Sequence, residues 1–214
     1  MPATRTPRRY PLFARVYTRL SNAAEKEGVA EHRDRLLEGL SGTVVEVGAG
    51  NGLNLAHYPA SVTQVHAIEP EPYLRQRAAL AATTAPVAVS VVDGSADRIP
   101  LDDSSADAGV VSLVLCSVPD PSSALAELRR VIRPGGELRF YEHVLASNPR
   151  WAKRQRRADP IWTHFAGGCH LTRPTVDSIR AAGFDIEQCE EFVFSTSIVD
   201  RLAASHVLGR ARRP

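Results

Sequence analysis

The chain's pattern predicts a doubly wound α/β fold on a mostly parallel seven-stranded sheet, with a terminal antiparallel strand and a helical N-terminal cap. Three observations carry this. Short β-branched apolar runs alternate with amphipathic helical stretches from residue 43 onward, and a glycine-rich turn follows the first run. Two further strand-like segments, FDIEQCEEFVFS and ASHVLGRARR, close the chain as a hairpin-like pair expected to run antiparallel to the rest.

Taken in order, residues 10–40 are helical and amphipathic, and residues 1–40 form the cap over a main body spanning 41–214, one globular domain overall. VVEVG is the first strand, NLAHY begins a helix, and VTQVHAIEP is the second strand. PYLRQRAALAATT is a helix and PVAVSVVDG the third strand. After the loop DRIPLDDSSAD come the apolar AGVVSLVLCSV, a helix over SSALAELRRVI, the turn RPGG and the strand ELRFYEHV. A basic helix near 149–163 and another from about Arg173 to Ala182 precede the closing pair. Strands alternating with helices give a Rossmann-like sheet with right-handed crossovers, whose ligands bind beyond the carboxyl ends of the strands.

With 214 residues, 43% hydrophobic and 23% charged, the chain suits one well-packed domain. No window reaches the roughly 18 uninterrupted apolar residues of a membrane span, and the Arg-rich start has no apolar signal core, so the chain reads as cytoplasmic. A net charge of +2 is too small to argue for nucleic acid as the main partner. Basic residues cluster at Arg5, Arg8, Arg9, Arg15 and Arg19, at RWAKRQRR (150–157) and at GRARRP. These are read as solvated faces, with an anionic substrate or weak peripheral membrane contact beside Trp151 and Trp162 left open. Cys116, Cys169 and Cys189, odd in number and widely spaced, fit neither a disulfide framework nor a zinc knuckle.

VVEVGAGNGLN departs from the dinucleotide fingerprint, because Leu53 occupies the sixth position of the loop and the third glycine, Gly52, comes one place early. What remains is Glu46 followed by Gly48, Gly50 and Gly52. An acid there suits a cationic ligand and would repel a pyrophosphate. Glu69, 17 residues after Gly52 and followed by Pro70, can accept from both hydroxyls of a ribose. Asp93, Gly94, Ser95 and Ala96 end the third strand, where polar groups can read an adenine edge. An adenosine ligand without phosphates, carrying an aminoacyl ammonium, is S-adenosyl-L-methionine.

VVEVGAGNG, AIEP, GSADRIPLDDSSAD, LVLCSVPDP and VIRPGGELRFYEHV together resemble the class I S-adenosylmethionine-dependent methyltransferases of the group that includes the quinone-biosynthesis C-methyltransferases, from about residue 40 to 145. LVLCSV, EHV, W…Q…DPIW and GGCHLTR resemble, more narrowly, the methyltransferase-like proteins that methylate alkyl thiols in animal microsomes, extending the match to about Arg173. The resemblance implies that Glu46, Gly48, Gly50 and Gly52 hold the methionine part, Glu69 the ribose, and Ser95 with Ala96 the adenine, with Pro70, Asp93, Gly94 and Leu113 completing the cofactor set. The broad group usually carries an acid where Ser95 stands, so Asp93 is the expected substitute or the contact is weaker. The animal thiol enzymes carry an amino-terminal membrane anchor, and the expectation for this chain is that it has none.

Methyl transfer from a sulfonium needs alignment and a poorly hydrated pocket more than charge stabilisation. His143, just after the fifth strand, is the candidate base or substrate orienter, against a structural histidine at a strand end. Cys116 and Ser117 line the acceptor pocket, and direct transfer needs no nucleophilic Cys116. Cys169 and His170 invite a metal reading, but two adjacent ligands without a companion pair predict no metal; GGCHLTR reads as a lid or pocket wall, with Cys169 facing the substrate. Tyr17 either closes over the cofactor and touches substrate or simply packs. Glu142, on the opposite strand face, is expected to be structural. A small-molecule acceptor, with a thiol preferred, follows; an oxygen or carbon acceptor on a quinone, phenol or secondary metabolite, or a non-catalytic cofactor-binding module, are the alternatives.

Overall fold

Val44, Val45 and Val47 are at most 2% exposed in β1 (Gly42–Val47), which lies at the centre of a seven-stranded sheet. The computed structural model describes residues 11–196 and 200–214; Arg5, Arg8 and Arg9 of the basic start lie outside them. The remaining strands are β2 (Val62–Ile68), β3 (Val89–Val92), β4 (Ala106–Ser112), β5 (Ile132–His143), β6 (Asp185–Val193) and β7 (Ser205–Arg212), in the order β3-β2-β1-β4-β5-β7-β6. Only β7 runs against the others. β6 is antiparallel to β7 and therefore parallel to the rest, which corrects the expectation that both closing strands oppose the sheet. β7 returns from the edge to fill the place beside β5.

Side chains alternate between the two faces of each strand, so each face carries its own core. Val45, Val47, Val111 and Phe140 pack with Leu125 and Leu128 of α4 (Pro121–Val131) and Ile179 of α6 (Thr175–Ala181). Val44, Val110 and Tyr141 pack on the other side with Leu36 and Leu37 of α2 (Ala30–Leu37), and Ala81 and Ala82 of α3 (Pro72–Ala82) join them. Each fully buried leucine contributes about 1.5–3 kcal/mol of transfer free energy. The expected cap is α1 (Pro11–Ala24), linked to α2 through a wide turn at Glu25–Val29 that Gly28 opens at a φ of 114°.

Three helices share one start signal, a capping side chain followed by proline. Glu71, Asp120 and Asn148 each accept a first-turn N–H, ahead of Pro72, Pro121 and Pro149, and the last pair opens α5 (Pro149–Phe165). The helix expected from NLAHY is only a 3-10 turn, Leu53–Ala56. Pro59 disfavours a helical Tyr58, and the buried side chains of Asn54 and Tyr58 are drawn inward by Glu46. The expected long fourth strand stops at Ser112, because Leu113 adopts a left-handed conformation at φ 59°.

The basic C-terminal run is used internally. Arg210 and Arg212 both pair with Glu187, and Arg213 Nη1 donates to the Ile132 carbonyl. Along α5, by contrast, Arg150, Lys153, Arg154, Arg156 and Arg157 are exposed, with the Arg154 guanidinium 4.8 Å from the centre of the Trp151 ring.

Gly52 sits at φ 84°, and a Cβ there would lie 2.9 Å from both the Ala78 Cα and the Ala81 Cβ of α3. Gly52→Ala is expected to cost at least about 2 kcal/mol, from left-handed strain and displacement of α3 together. Urea unfolding measures it, and a loss below about 0.5 kcal/mol would contradict this packing.

Candidate active site

The strand order reverses between β1 and β4, so the cleft beyond their carboxyl ends is where this sheet meets a ligand. The loop after β1 reaches it through Gly48 and Gly50, at φ 70° and 58°. A Cβ on Gly48 would lie 2.5 Å from the Val114 side chain, so the loops after β1 and β4 can abut only because it is absent. Glu69, at the end of β2, is buried and accepts the Gly50 N–H at 2.8 Å and the Glu71 N–H at 2.9 Å, one on each oxygen. Each oxygen keeps a lone pair for a hydroxyl donor. Pro70 follows, its carbonyl held by Arg75 Nη1 at 3.1 Å.

Glu46 is engaged differently from the expectation. Its two oxygens accept from Asn54 Nδ2 and the Tyr58 hydroxyl, each at 2.8 Å, in a buried setting that raises its pKa. It holds the far side of the glycine loop. Asn54 in turn accepts from Arg33 Nη1 at 2.5 Å, and Arg33 pairs with Glu25 at 2.9 Å. Asp93 is likewise placed elsewhere: its carboxylate is exposed and paired with Arg75 at 3.0 Å. The acid at that turn is Asp97, which accepts from Ser95 Oγ at 2.5 Å. Gly94 passes close to Ile68 and Pro100, and Ala96 packs on the core.

At the other end of the cleft, His143 ends β5 and pairs across the sheet with His206 of β7, which pairs in turn with Phe192 of β6. The ring centroids are 4.6 Å and 5.6 Å apart, so a row of rings fixes the His143 imidazole. Its Nδ1 lies 3.7 Å from Cys116 Sγ and 3.6 Å from Cys169 Sγ. Ser117 Oγ is 3.5 Å from the Cys116 sulfur. Tyr17 of α1 lies over the glycine loop, where a Cβ on Gly50 would touch its ring at 3.4 Å. Burial pushes the Tyr17 hydroxyl pKa up. Two surface depressions, one around His66 and Ile99 and one between α4 and α6, contain none of these residues.

A methyltransferase-domain family model matches residues 45–140. Rat thiol S-methyltransferase TMT1B is 35% identical over 192 residues, which cover 84% of this chain and 74% of that protein. The chain belongs to the class I S-adenosylmethionine-dependent methyltransferases. A Bacillus halodurans putative methyltransferase superposes with a TM-score of 0.68 at 17% identity, covering 85% of this chain and 98% of that one. Geranyl diphosphate methyltransferase in complex with SAM gives 0.67 at 16% identity, covering 87% and 85%. The glycine cradle and the lone pairs of Glu69 fit the cofactor of this family. No helix among the described residues is long and apolar enough to cross a membrane.

The His143 end of the cleft rests on residues outside it. Glu142 is fully buried, and its oxygens accept the N–H groups of Val114 (2.9 Å), Leu115 (2.9 Å) and Cys116 (3.1 Å). Burial pushes its carboxyl up to about 7 despite those three donors. The Cys116 carbonyl accepts the His170 N–H at 2.8 Å, joining the turn after β4 to the GGCH segment. A Cβ on Gly167 would lie 2.4 Å from the Phe13 ring, so this segment also depends on a bare backbone. His170 pairs with Asp159 of α5 at 2.9 Å, and Leu171 N donates to the same carboxylate.

The two thiols are shifted in opposite directions: the neighbouring Cys169 and burial push Cys116 well above the ordinary thiol range, while the neighbouring Cys116 and His143 push Cys169 below it. Burial pushes the His143 imidazole down, but the bond and charge of Cys169, with Glu142, outweigh it and leave its pKa raised. His206 is pushed down to about 3 by burial and stays neutral.

Arg33, Asn54, Tyr58 and Asp97 carry no role in the sequence reading, where the acid two places after Ser95 was the available signal for Asp97; Gln155 stands in the W…Q…DPIW motif, which assigned it no role of its own. Gln155 accepts the Ala146 N–H and donates to the Val144 and Leu202 carbonyls, fixing α5 beneath the strand end.

Glu142→Ala removes the acceptor of three buried N–H groups and is expected to cost roughly 3–5 kcal/mol, with Glu142→Gln costing less. Urea midpoints of the two variants read this, and a loss under about 1 kcal/mol for the alanine would show that the turn has another support.

Proposed function

We propose that this methyltransferase S-methylates small, fairly apolar thiols. The observation that carries this reading is the His143 imidazole set at the end of β5 among sulfur atoms and aromatic rings, beside the cofactor cleft. The likeness to rat thiol S-methyltransferase TMT1B, which extends through the GGCH segment, supports it. When bound, S-adenosylmethionine supplies an electrophilic methyl group on a sulfonium sulfur.

In this reading Glu69 accepts from the ribose hydroxyls, and the backbone of Gly48, Gly50 and Gly52 leaves room for the methionine part, with Glu46 bracing the loop from behind through Asn54 and Tyr58. Ser95 and Asp97 receive the adenine edge, next to Gly94 and Ala96, while Leu113 borders the cofactor from β4. His143 orients the acceptor and holds positive charge near its sulfur, which raises the thiolate share. Cys116, Ser117 and Cys169 line the acceptor end, and Tyr17 closes over both. Residues 1–40 serve as the cap over the 41–214 body. Two neighbouring free thiols, Cys116 and Cys169, suit a reducing compartment, so we place the enzyme in the cytoplasm. The exposed basic face of α5, with Ile161 and Phe165 also exposed, suits weak contact with an anionic membrane surface.

Labelled S-adenosylmethionine offered with a panel of alkyl and aryl thiols, phenols and quinols is expected to label the thiols. Labelling of phenols or quinols alone would overturn the reading, and tight cofactor binding without any transfer would point to a non-catalytic module. Glu69→Gln is expected to weaken cofactor binding at least several-fold by calorimetry, since one acceptor oxygen is lost. His143→Ala should lower turnover while leaving cofactor affinity nearly intact.

A further inference from the structure

Two sulfurs and one imidazole nitrogen meet at the acceptor end, and a ligand set of this kind has a use beyond lining a pocket. Cys116 Sγ, Cys169 Sγ and His143 Nδ1 all lie within 4.8 Å of one another, the one group of three such atoms found among the described residues. Zinc bonds of about 2.3 Å to sulfur and about 2.0–2.1 Å to nitrogen, at tetrahedral angles, put sulfur and nitrogen about 3.5 Å apart. The two sulfur–nitrogen separations here are 3.7 Å and 3.6 Å.

The ligands are also held as a metal site requires. Cys116 is fixed by the Glu142 carboxylate, Cys169 by the link between His170 N and the Cys116 carbonyl, and His143 by tilted ring packing on His206. Both cysteines are buried while His143 is half-buried.

We propose that Cys116, His143 and Cys169 bind a thiophilic divalent ion of the zinc class, whose open fourth position takes the acceptor thiol. Two thiolates and one imidazole with one open position is a donor set that catalytic zinc uses and that hard cations avoid. The role in methylation rests on the thiol reading above. The acceptor RSH binds as thiolate and releases its proton to solvent. Its sulfur lone pair forms the bond to the methyl carbon as the methyl–sulfonium bond breaks, and that electron pair returns to the cofactor sulfur. The product thioether carries no charge and leaves the ion. His143 is then a ligand and not the base.

Cobalt is the probe, added to the reduced, metal-free full chain. One cobalt per chain is expected, with the intense visible bands of a tetrahedral site and sulfur-to-cobalt charge transfer in the near ultraviolet. Cys116→Ser, Cys169→Ser and His143→Ala should each weaken binding by more than about 100-fold, the upper end of what losing an outer-shell partner costs. Cys189→Ser, on an exposed strand position, should leave it unchanged. An alkyl thiol should shift the charge-transfer band. Absence of these bands, or bands that survive in Cys116→Ser and Cys169→Ser, overturns the proposal, as does a Cys116–Cys169 disulfide formed in air by a chain that binds no cobalt once reduced. Thiol methylation by the metal-free chain, unchanged by added zinc, overturns the role and leaves the thiol reading standing. Cobalt binding without thiol methylation leaves the site and removes that reading.

Discussion

One buried carboxylate holds the reacting end of this molecule together. β4 has to stop at Ser112 so that the chain can turn across the strand ends, and Leu113 makes the break in a left-handed conformation that costs a non-glycine residue roughly 1–3 kcal/mol. The three N–H groups that follow have lost their sheet partners in a largely buried position, and Glu142 collects all of them. Strand alternation then does the rest: with Glu142 turned toward the loop, its neighbour His143 must face the cleft. Fixing Cys116 also presents its carbonyl to His170, so the same carboxylate sets where the GGCH segment lies.

The cofactor end depends on a comparable chain of buried polar groups. Arg33 is 7% exposed and survives there because Glu25 and Asn54 satisfy its guanidinium, while Asn54 and Tyr58 satisfy Glu46. Glu25 also meets His57, which is paired with Asp34. Such a network is more costly to break than it is stabilising to form, because removing one member leaves another charge buried alone. It therefore couples the N-terminal helices to the glycine loop, and Tyr17 rides on the same helices.

Sheet, helices and glycine loop were legible because each rests on local chemistry: β-branched runs, Pro after a capping side chain, glycine at positive φ. The cofactor followed from the order of strand-end residues, which the doubly wound topology converts into proximity. What was not legible depends on contacts between distant segments. Cys116 and Cys169 are far apart in sequence, so their spacing argued against a metal site, and His170 looked like the partner of Cys169 until Asp159 was seen to take it. Likewise Glu46 and Asp93 stand at positions that suit a ligand, but their actual partners, Asn54, Tyr58 and Arg75, come from turns and helices whose side-chain directions no periodicity records. The direction of β6 failed for the same reason, since hairpin-like spacing says nothing about which of two strands inserts beside β5.

Sulfur atoms beside a methyl donor pose a difficulty that the cluster itself answers. A thiolate near an electrophilic methyl group is a nucleophile in its own right, and an enzyme that exposed one would methylate itself in place of its substrate. Its link to Cys169 and burial push the Cys116 pKa up, which disfavours its thiolate as long as no ion is bound. Cys169 is pushed the other way, and its sulfur lies 3.6 Å from His143 Nδ1, which engages its lone pairs. Engaging those lone pairs lowers the reactivity of the protein's own sulfur. On the thiol reading proposed above, an acceptor sulfur arriving beside His143 would carry none of those constraints, and that asymmetry would direct the methyl group to the substrate.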